Sequence, residues 1–510
     1  MARILWADDE IDLLKPHVMF LEKKGHVVTT VQSGNEAIDL VKEDEFEIIF
    51  LDENMPGLTG LETLDFIKAE KPSVPIIMIT KSEEESIMDS AIGGRINDYL
   101  IKPVNPNQIL LSIKKNLEGK RLVNEKTTSN YQQKFREISM DLQDRLDFDG
   151  WVDIYKRLVY WEVQFDKSDQ SMMEVLQMQK NEANQLFSKY VANNYTEWFN
   201  NEGPLMSHEL LKEKVFPNIK NDKTFLIVID NLRYDQWQVI RPILMERFTA
   251  KEESLYYSIL PTATQYARNA LFAGMMPSEI QKHFPSKWKN EDDEGSKNKF
   301  EADFLNANLS NNGINCKTSY NKITNLDAGK KLVNNFSNLL NNDFNVVVYN
   351  FVDMLSHART DMEVIRELAD DESAYRSLTL SWFEHSALND IFKLIAENNC
   401  DVIITTDHGT IKVDDPSKVV GDRNTNSNLR YKQGKNLNYN EKDVLAIRNP
   451  EDAYLPRMNV SSTYLFAKES KFFVYPNNYN YYVNYFKNTF QHGGISMEEM
   501  IIPYVHLKSK

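Results

Sequence analysis

Three apolar, β-rich runs in the C-terminal half each end in side chains that bind divalent cations, and this repetition limits the fold more than any other feature. Phe225–Ile229 ends in Asp230, Val346–Tyr349 is followed by Asp353-Met-Leu-Ser-His357, and Val402–Thr405 leads into Asp407-His408-Gly409. In open α/β sheets, ligands bind beyond the carboxyl ends of the strands, so the three runs predict one shared crevice. A single Asp after a strand is ordinarily a turn residue or a helix cap. Here His357, His408 and His492, out of only nine His, join the same set, each beside a strand end or a glycine. Gly409, Gly493 and Gly494 predict places where backbone comes close to a ligand.

Apart from Thr264, the residues Asp230, Thr264, Asp353, His357, Asp407, His408 and His492 are nitrogen and oxygen donors of the kind that hold zinc. Together they suffice for two zinc sites sharing one nucleophile, with manganese as a substitute. Two metals ~4 Å apart stabilise both the attacking and the leaving oxygen of an in-line displacement at phosphorus. A Thr hydroxyl becomes a useful nucleophile once a metal lowers its pKa. Thr264 lies between the apolar Leu255–Leu260 and the helix-compatible Gln265–Phe272. That predicts a helix N-terminus, where backbone N–H groups and the dipole favour a phosphoryl group.

These elements, with the Pro261-Thr262-Ala263-Thr264 turn and the late His492-Gly493-Gly494 through Glu498 to Pro503, resemble the alkaline phosphatase superfamily, and within it the PglZ branch, over residues 215–510. The resemblance implies an alkaline-phosphatase-like α/β domain with Thr264 as nucleophile. It groups Asp230, Thr264, Asp407 and His408 around one zinc and Asp353, His357 and His492 around the other. Relatives often carry Gly where Ser356 stands. Neither Cys316 nor Cys400 lies in a Cys-x-Pro-x-Arg element, so sulfate ester hydrolysis is disfavoured.

The N-terminal end carries a second constellation. Ile4–Ala7 ends in Asp8-Asp9, Ile48–Leu51 in Asp52, Ile76–Ile79 in Thr80, and Tyr99–Ile101 in Lys102-Pro103, with helix-like stretches between them. Strands alternating with helices predict βαβ units and a parallel sheet. A carboxylate cluster without His or Cys suits Mg2+, and Lys102 supplies a point charge for a phosphoryl group. The set resembles the receiver domain of two-component response regulators, over residues 1–118. That implies a flavodoxin-like fold, Asp52 as phosphoacceptor, Asp8 and Asp9 (with Asp52) as magnesium ligands, and Thr80, Tyr99 and Lys102 as the switch.

Residues 119–206 read as a helical domain with aromatic residues at helical spacing, suited to a core or a dimer seam, and 207–510 as the catalytic domain. The polar stretches Lys287–Lys299 and Val413–Asn440 read as loops. In the second, Arg430, Lys432 and Lys435 form a basic cluster that is either solvated or clamps a substrate phosphate. Two Cys and no apolar run of membrane-spanning length suit a cytoplasmic protein without a membrane span. A net charge of −16 opposes general DNA binding.

Receiver, helices and PglZ-like domain together resemble the PorX-like family of response regulators tied to type IX secretion. This implies a PorY-like sensor histidine kinase as phosphodonor and a linear or cyclic oligonucleotide as the diester substrate. The alternative is a regulator with a structural metal site that works by contact with a sigma factor or a secretion component. Phosphorylation is expected to change the face formed by Glu84–Ile92, Asn97–Ile101 and Pro106–Leu117, read as exposing Ile87, Met88, Ile109 and Leu110, and to drive homodimerisation through the receiver and helical domains.

Overall fold

The computed structural model describes residues 2–81, 96–104, 106–113, 116–117, 130–131, 133–166, 172–200, 203–219, 223–291, 293–355, 371–422, 425–459 and 461–510. Two compact units hold the chain, Met1–Gln133 and Lys134–Lys510.

The first unit is a parallel sheet of β1 (Arg3–Ala7), β2 (Val27–Val31), β3 (Ile48–Asp52), β4 (Ile76–Thr80) and β5 (Asp98–Ile101), in the order β2-β1-β3-β4-β5. Its helices are α1 (Lys15–Lys23), α2 (Gly34–Glu43), α3 (Gly60–Glu70) and α4 (Pro106–Ile113). Alternate residues of the central strands feed two cores. Leu5, Ile49 and Met78 pack with Val41 of α2 and Leu64 of α3. Ile4, Phe50 and Ile77 pack with Leu21 of α1 and Ile109 of α4. Burial on both faces is why these strands read as unbroken apolar runs. A capping box between Thr59 and Glu62 starts α3.

Two expectations are corrected here. The sheet has a fifth strand, β2, whose Thr29 and Thr30 and partly exposed edge position gave it no continuous apolar run. Ile109 is fully buried in a core and Leu110 packs partly buried against it, so they do not form an exposed face. Ile87 and Met88 lie outside the described residues.

The second unit is built on β6 (Thr224–Ile229), β7 (Phe248–Tyr257), β8 (Thr318–Ile323), β9 (Phe344–Tyr349), β10 (Asp401–Thr405) and β11 (Ile501–Ser509), in the order β7-β11-β10-β6-β9-β8. Strands β10, β6, β9 and β8 run parallel, so the residues after β6, β9 and β10 emerge at one rim. Strand β11 is antiparallel to β10. Residues just before β11 therefore return to that same rim.

Helices α5 (Phe148–Asp166) and α6 (Met173–Asn194) belong to this unit. Their aromatic stripe is core: Trp151, Tyr155 and Phe187 are buried, Phe187 stacks on Tyr257 of β7, and Tyr155 packs on Tyr234 of α7 (Tyr234–Met245). Buried charges tie the same helices down. Arg376 binds Glu162 at 2.7 Å, Asp166 at 2.7 Å and Asp235 at 3.0 Å, while Lys180 lies 2.8 Å from Glu162 and 3.6 Å from Glu498. Glu162, Asp235 and Glu372 lie close enough together to hold a cation. Lys180, Arg233 and Arg376 already neutralise them. Val413–Asn440 is not the plain loop expected: Asp415–Lys418 and Tyr431–Gly434 are strands, paired with Lys471–Val474 and Thr463–Ala467. Asp415 pairs with Lys471 and Tyr431 with Phe466, too far along the chain for a local reading.

Candidate active site

In the first unit, Asp8 and Asp9 follow β1, and Asp52 ends β3 beside it. The three carboxylates have ligand atoms within 4.8 Å of one another. Lys102 Nζ lies 2.9 Å from Asp8 Oδ2 and 3.0 Å from Asp52 Oδ2. Asp52 Oδ1 is buried and makes no hydrogen bond, so an oxygen-rich group with an unused lone pair fits Mg2+. Burial raises the Asp52 carboxyl above its usual range, against the hydrogen bond from Lys102. For Lys102, burial lowers its pKa, but Asp8 and Asp52 raise it on balance. Thr80 ends β4, buried, and Tyr99 is half-buried on β5.

In the second unit, Asp230 follows β6 and Asp407 follows β10, with Asn231 between them in a left-handed turn (φ 64) that sends its N–H to Asp407 Oδ1 at 3.3 Å. Asp407 Oδ1 also accepts from the His408 N–H at 3.1 Å. Its other oxygen, Oδ2, is buried without a hydrogen bond. Asp230, Asp407 and His408 have ligand atoms within 4.8 Å of one another. The His408 and His492 rings stack at 4.3 Å, and His492 Nε2 lies 3.7 Å from Asp353 Oδ1. Each ring gives its Nδ1–H to a backbone carbonyl, His408 to Gly409 and His492 to Thr262, both at 3.1 Å. That tautomer leaves both Nε2 lone pairs facing the carboxylates. Carboxylates and imidazoles so arranged fit zinc. Asp230, Thr264, Asp407 and His408 would hold one ion, and Asp353 and His492 would contribute to the other; His357 lies outside the described residues.

Thr264 is the first residue of α8 (Thr264–Ala273), whose N-cap, Ala263, has no capping side chain. No cap side chain takes up the first-turn N–H groups, of which Tyr266 N–H goes to the Ala263 carbonyl at 2.9 Å. Thr264 Oγ1 donates to Asp230 Oδ1 at 3.3 Å and lies 3.0 Å from His408 Nε2. Thr262 is engaged elsewhere: its hydroxyl donates to Gly494 O at 3.0 Å and accepts from Gly493 N at 2.9 Å. A metal bound at these residues would supply positive charge for a displacement at phosphorus. The chain itself holds the hydroxyl against a carboxylate and an imidazole.

Several residues escaped the sequence reading. Arg268, one helical turn after Thr264 in α8, binds Asp230 Oδ2 and, at the start of α9 (Glu301–Asn311), Glu301 Oε1, at 2.6 Å each. Its i,i+4 spacing from Thr264 is the signal that could have found it. Asn231 had none, whereas Glu499 lies within the His492-to-Pro503 motif, next to the Glu498 that the sequence reading named. Glu499 binds Arg430 at 2.6 Å and accepts from Gly494 N at 2.9 Å, so it holds the His-Gly-Gly turn. Its neighbour Glu498 turns to Lys180 and Asn184 of α6.

The three glycines make room for protein rather than ligand. A Cβ at Gly409 would strike the Glu498 carbonyl, at Gly493 the Tyr431 ring, and at Gly494 the Ala467 carbonyl and Arg430. Of the basic cluster, Arg430 is not solvated; it is fully buried in its pair with Glu499. Lys432 Nζ donates to Asn426 O at 2.8 Å, and burial brings its pKa down to about 8. Lys435 lines a small cavity with Glu291, Asp422 and Asn426.

Comparison with known proteins divides the chain in the same order. Residues 4–114 match the response regulator receiver domain, 121–199 the PorX response regulator linker domain, and 210–507 the BREX system PglZ alkaline phosphatase-like domain. The chain is 34% identical over 113 residues to the transcriptional regulatory protein ResD of Bacillus subtilis, covering 22% of the chain and 47% of ResD. It is 34% identical over 123 residues to PilH of Pseudomonas aeruginosa, covering 23% of the chain and all of PilH. The chain thus spans about half the length of ResD. Among solved structures it is similar to chemotaxis protein CheY4 of Vibrio cholerae, at 28% identity and TM-score 0.22, over 23% of the chain and 99% of CheY4. Among the described residues no helix is long and apolar enough to cross a membrane.

Proposed function

The chain belongs to the PglZ alkaline phosphatase-like domain family, set behind a receiver and a PorX-type linker domain, and from this we propose a response regulator whose phosphorylation at Asp52 controls a zinc-dependent phosphodiesterase. The observation that carries the reading is Thr264 Oγ1 at the start of α8, 3.3 Å from Asp230 and 3.0 Å from His408. A purely structural metal site would have no use for a hydroxyl placed there. The substrate class is a linear or cyclic oligonucleotide. The phosphodonor is a PorY-like sensor histidine kinase, the setting is cytoplasmic control of type IX secretion, and the working domain boundaries are 1–118, 119–206 and 207–510. Phosphorylation brings two copies together, and the contact to secretion components or a sigma factor follows from that state.

Hydrolysis of bis(p-nitrophenyl) phosphate by the zinc-loaded full chain, set beside Thr264→Ala, tests the proposal. Turnover is expected in the wild type and loss of at least a hundredfold in the variant, with metal still bound. Full activity in Thr264→Ala would defeat the nucleophile assignment, and absence of turnover on any diester would defeat the enzymatic reading.

A further inference from the structure

Helix α10 (Tyr479–Phe486) reads Tyr-Asn-Tyr-Tyr-Val-Asn-Tyr-Phe and contains no buried residue. Tyr479, Val483 and Phe486 rest, partly buried, on Ile411, Val413, Phe472 and Val474. The opposite side is left in solvent, with Tyr481 64% and Tyr482 40% exposed and Tyr475, just upstream, 50% exposed. The rings are ordered. Tyr481 stacks on Tyr485 at 6.1 Å and 15°, and Tyr482 on Phe486 at 6.2 Å and 12°. A solvated helix face is normally polar or charged. This face offers tyrosine interleaved with Asn480 and Asn484.

The charge along this segment of the sequence is equally selective. Residues 470–497 contain no Asp or Glu, in a chain with 75 acidic residues among 510. Lys471 is paired with Asp415. Lys418, by contrast, holds its Nζ 4.5 Å over the Tyr479 ring, and Lys487 is exposed at the end of α10. The carboxylate-free run continues through the short strand Phe490–Gln491 into His492 at the metal site.

We infer that the exposed face of α10 is a docking platform for single-stranded nucleic acid, with bases stacking on Tyr481, Tyr482 and Tyr485 and backbone phosphates drawn by Lys418 and Lys487. Aromatic platforms with nearby cations bind single strands without sequence preference, because every base has a π-face. Lys418 and Lys487 supply local positive charge beside the rings on a protein whose overall charge repels polyanions. The inference rests on the reading of the metal site as a phosphodiesterase for oligonucleotides.

The test is fluorescence anisotropy of a labelled oligothymidylate with the full chain, comparing the wild type with two triple variants. One is Tyr481→Ala, Tyr482→Ala, Tyr485→Ala, and the other replaces the same three residues by Phe. Stacking predicts affinity weakened about tenfold or more in the Ala variant and kept within about twofold in the Phe variant. Equal affinity of wild type and Ala variant would overturn the platform, as would loss in the Phe variant too, which would mean that hydroxyls rather than rings matter. An Ala variant whose sedimentation changes while its affinity does not would assign the face to contact between two copies and also overturn it. Wild-type turnover of bis(p-nitrophenyl) phosphate, measured alongside, separates the two levels. Oligonucleotide binding without turnover would sink the phosphodiesterase and leave the platform standing, and turnover without binding would do the reverse.

Discussion

Replacing Arg268 by Met exposes how the candidate metal site balances its charge. The guanidinium lies 2.6 Å from Asp230 Oδ2, 2.6 Å from Glu301 Oε1 and 3.8 Å from Asp407 Oδ2, with all four side chains at most 1% exposed. Removing one partner of a buried ion pair costs about 3–5 kcal/mol, because a charge is left without compensation. Glu301 keeps Lys322 at 3.1 Å and the Tyr320 hydroxyl. The orphan is therefore Asp230, left with the Thr264 hydroxyl at 3.3 Å, and the loss falls at the lower end, about 3 kcal/mol. A divalent cation on Asp230 and Asp407 replaces the missing charge, and a ligand at a hundred times its Kd adds ~2.7 kcal/mol of stability. Arg268 repels that cation in the wild type, so the variant gains more from metal. Thermal and urea unfolding of the full chain, with chelator and then with excess zinc, measures both quantities. The expected result is a deficit of about 3 kcal/mol that shrinks when zinc is added. A metal-free deficit under ~1 kcal/mol, or one of the same size with and without zinc, would refute the charge-balance reasoning.

Three further outcomes are expected. Asp52→Asn abolishes formation of an acyl phosphate from acetyl phosphate, and the wild type with beryllofluoride sediments as a dimer; a wild type that stays monomeric removes dimerisation from the proposal. Burial brings the His208 pKa down to about 4, against a raising contribution from Glu279. With the folded pKa below the unfolded value, the unfolded chain binds more protons. Stability from this group is therefore complete above pH ~6.5 and falls by at most ~3 kcal/mol as pH drops toward 4. His208→Gln should flatten that part of the urea-unfolding profile, and an unchanged slope would show that other groups set it. Thr262→Ala leaves the buried Gly493 N–H without its acceptor and should cost about 1–3 kcal/mol. It should also leave more diester hydrolysis than Thr264→Ala, and the reverse ranking would exchange their roles.

Local chemistry made much of this protein legible in one dimension. Phe225–Ile229, Val346–Tyr349 and Val402–Thr405 announce themselves because strands buried on both faces must be apolar throughout. Acidic and His ligands at their ends follow from the same geometry, since parallel strands deliver their carboxyl ends to one rim. Edge strand β2 stayed hidden for the opposite reason: Thr29 and Thr30 on a half-exposed edge leave no unbroken apolar signal. Tertiary structure alone decided the partners of isolated charges. Arg430 and Lys432 read identically as loop cations, yet one is sealed against Glu499 and the other against the Asn426 carbonyl. Arg268 meets Asp230 across 38 residues and Lys180 meets Glu498 across more than 300. The residue types that form a cation site are a property of the chain. Which carboxylates remain free to do so depends on which cations folding buries beside them, and that pairing acts at a few ångströms between residues that sequence keeps far apart.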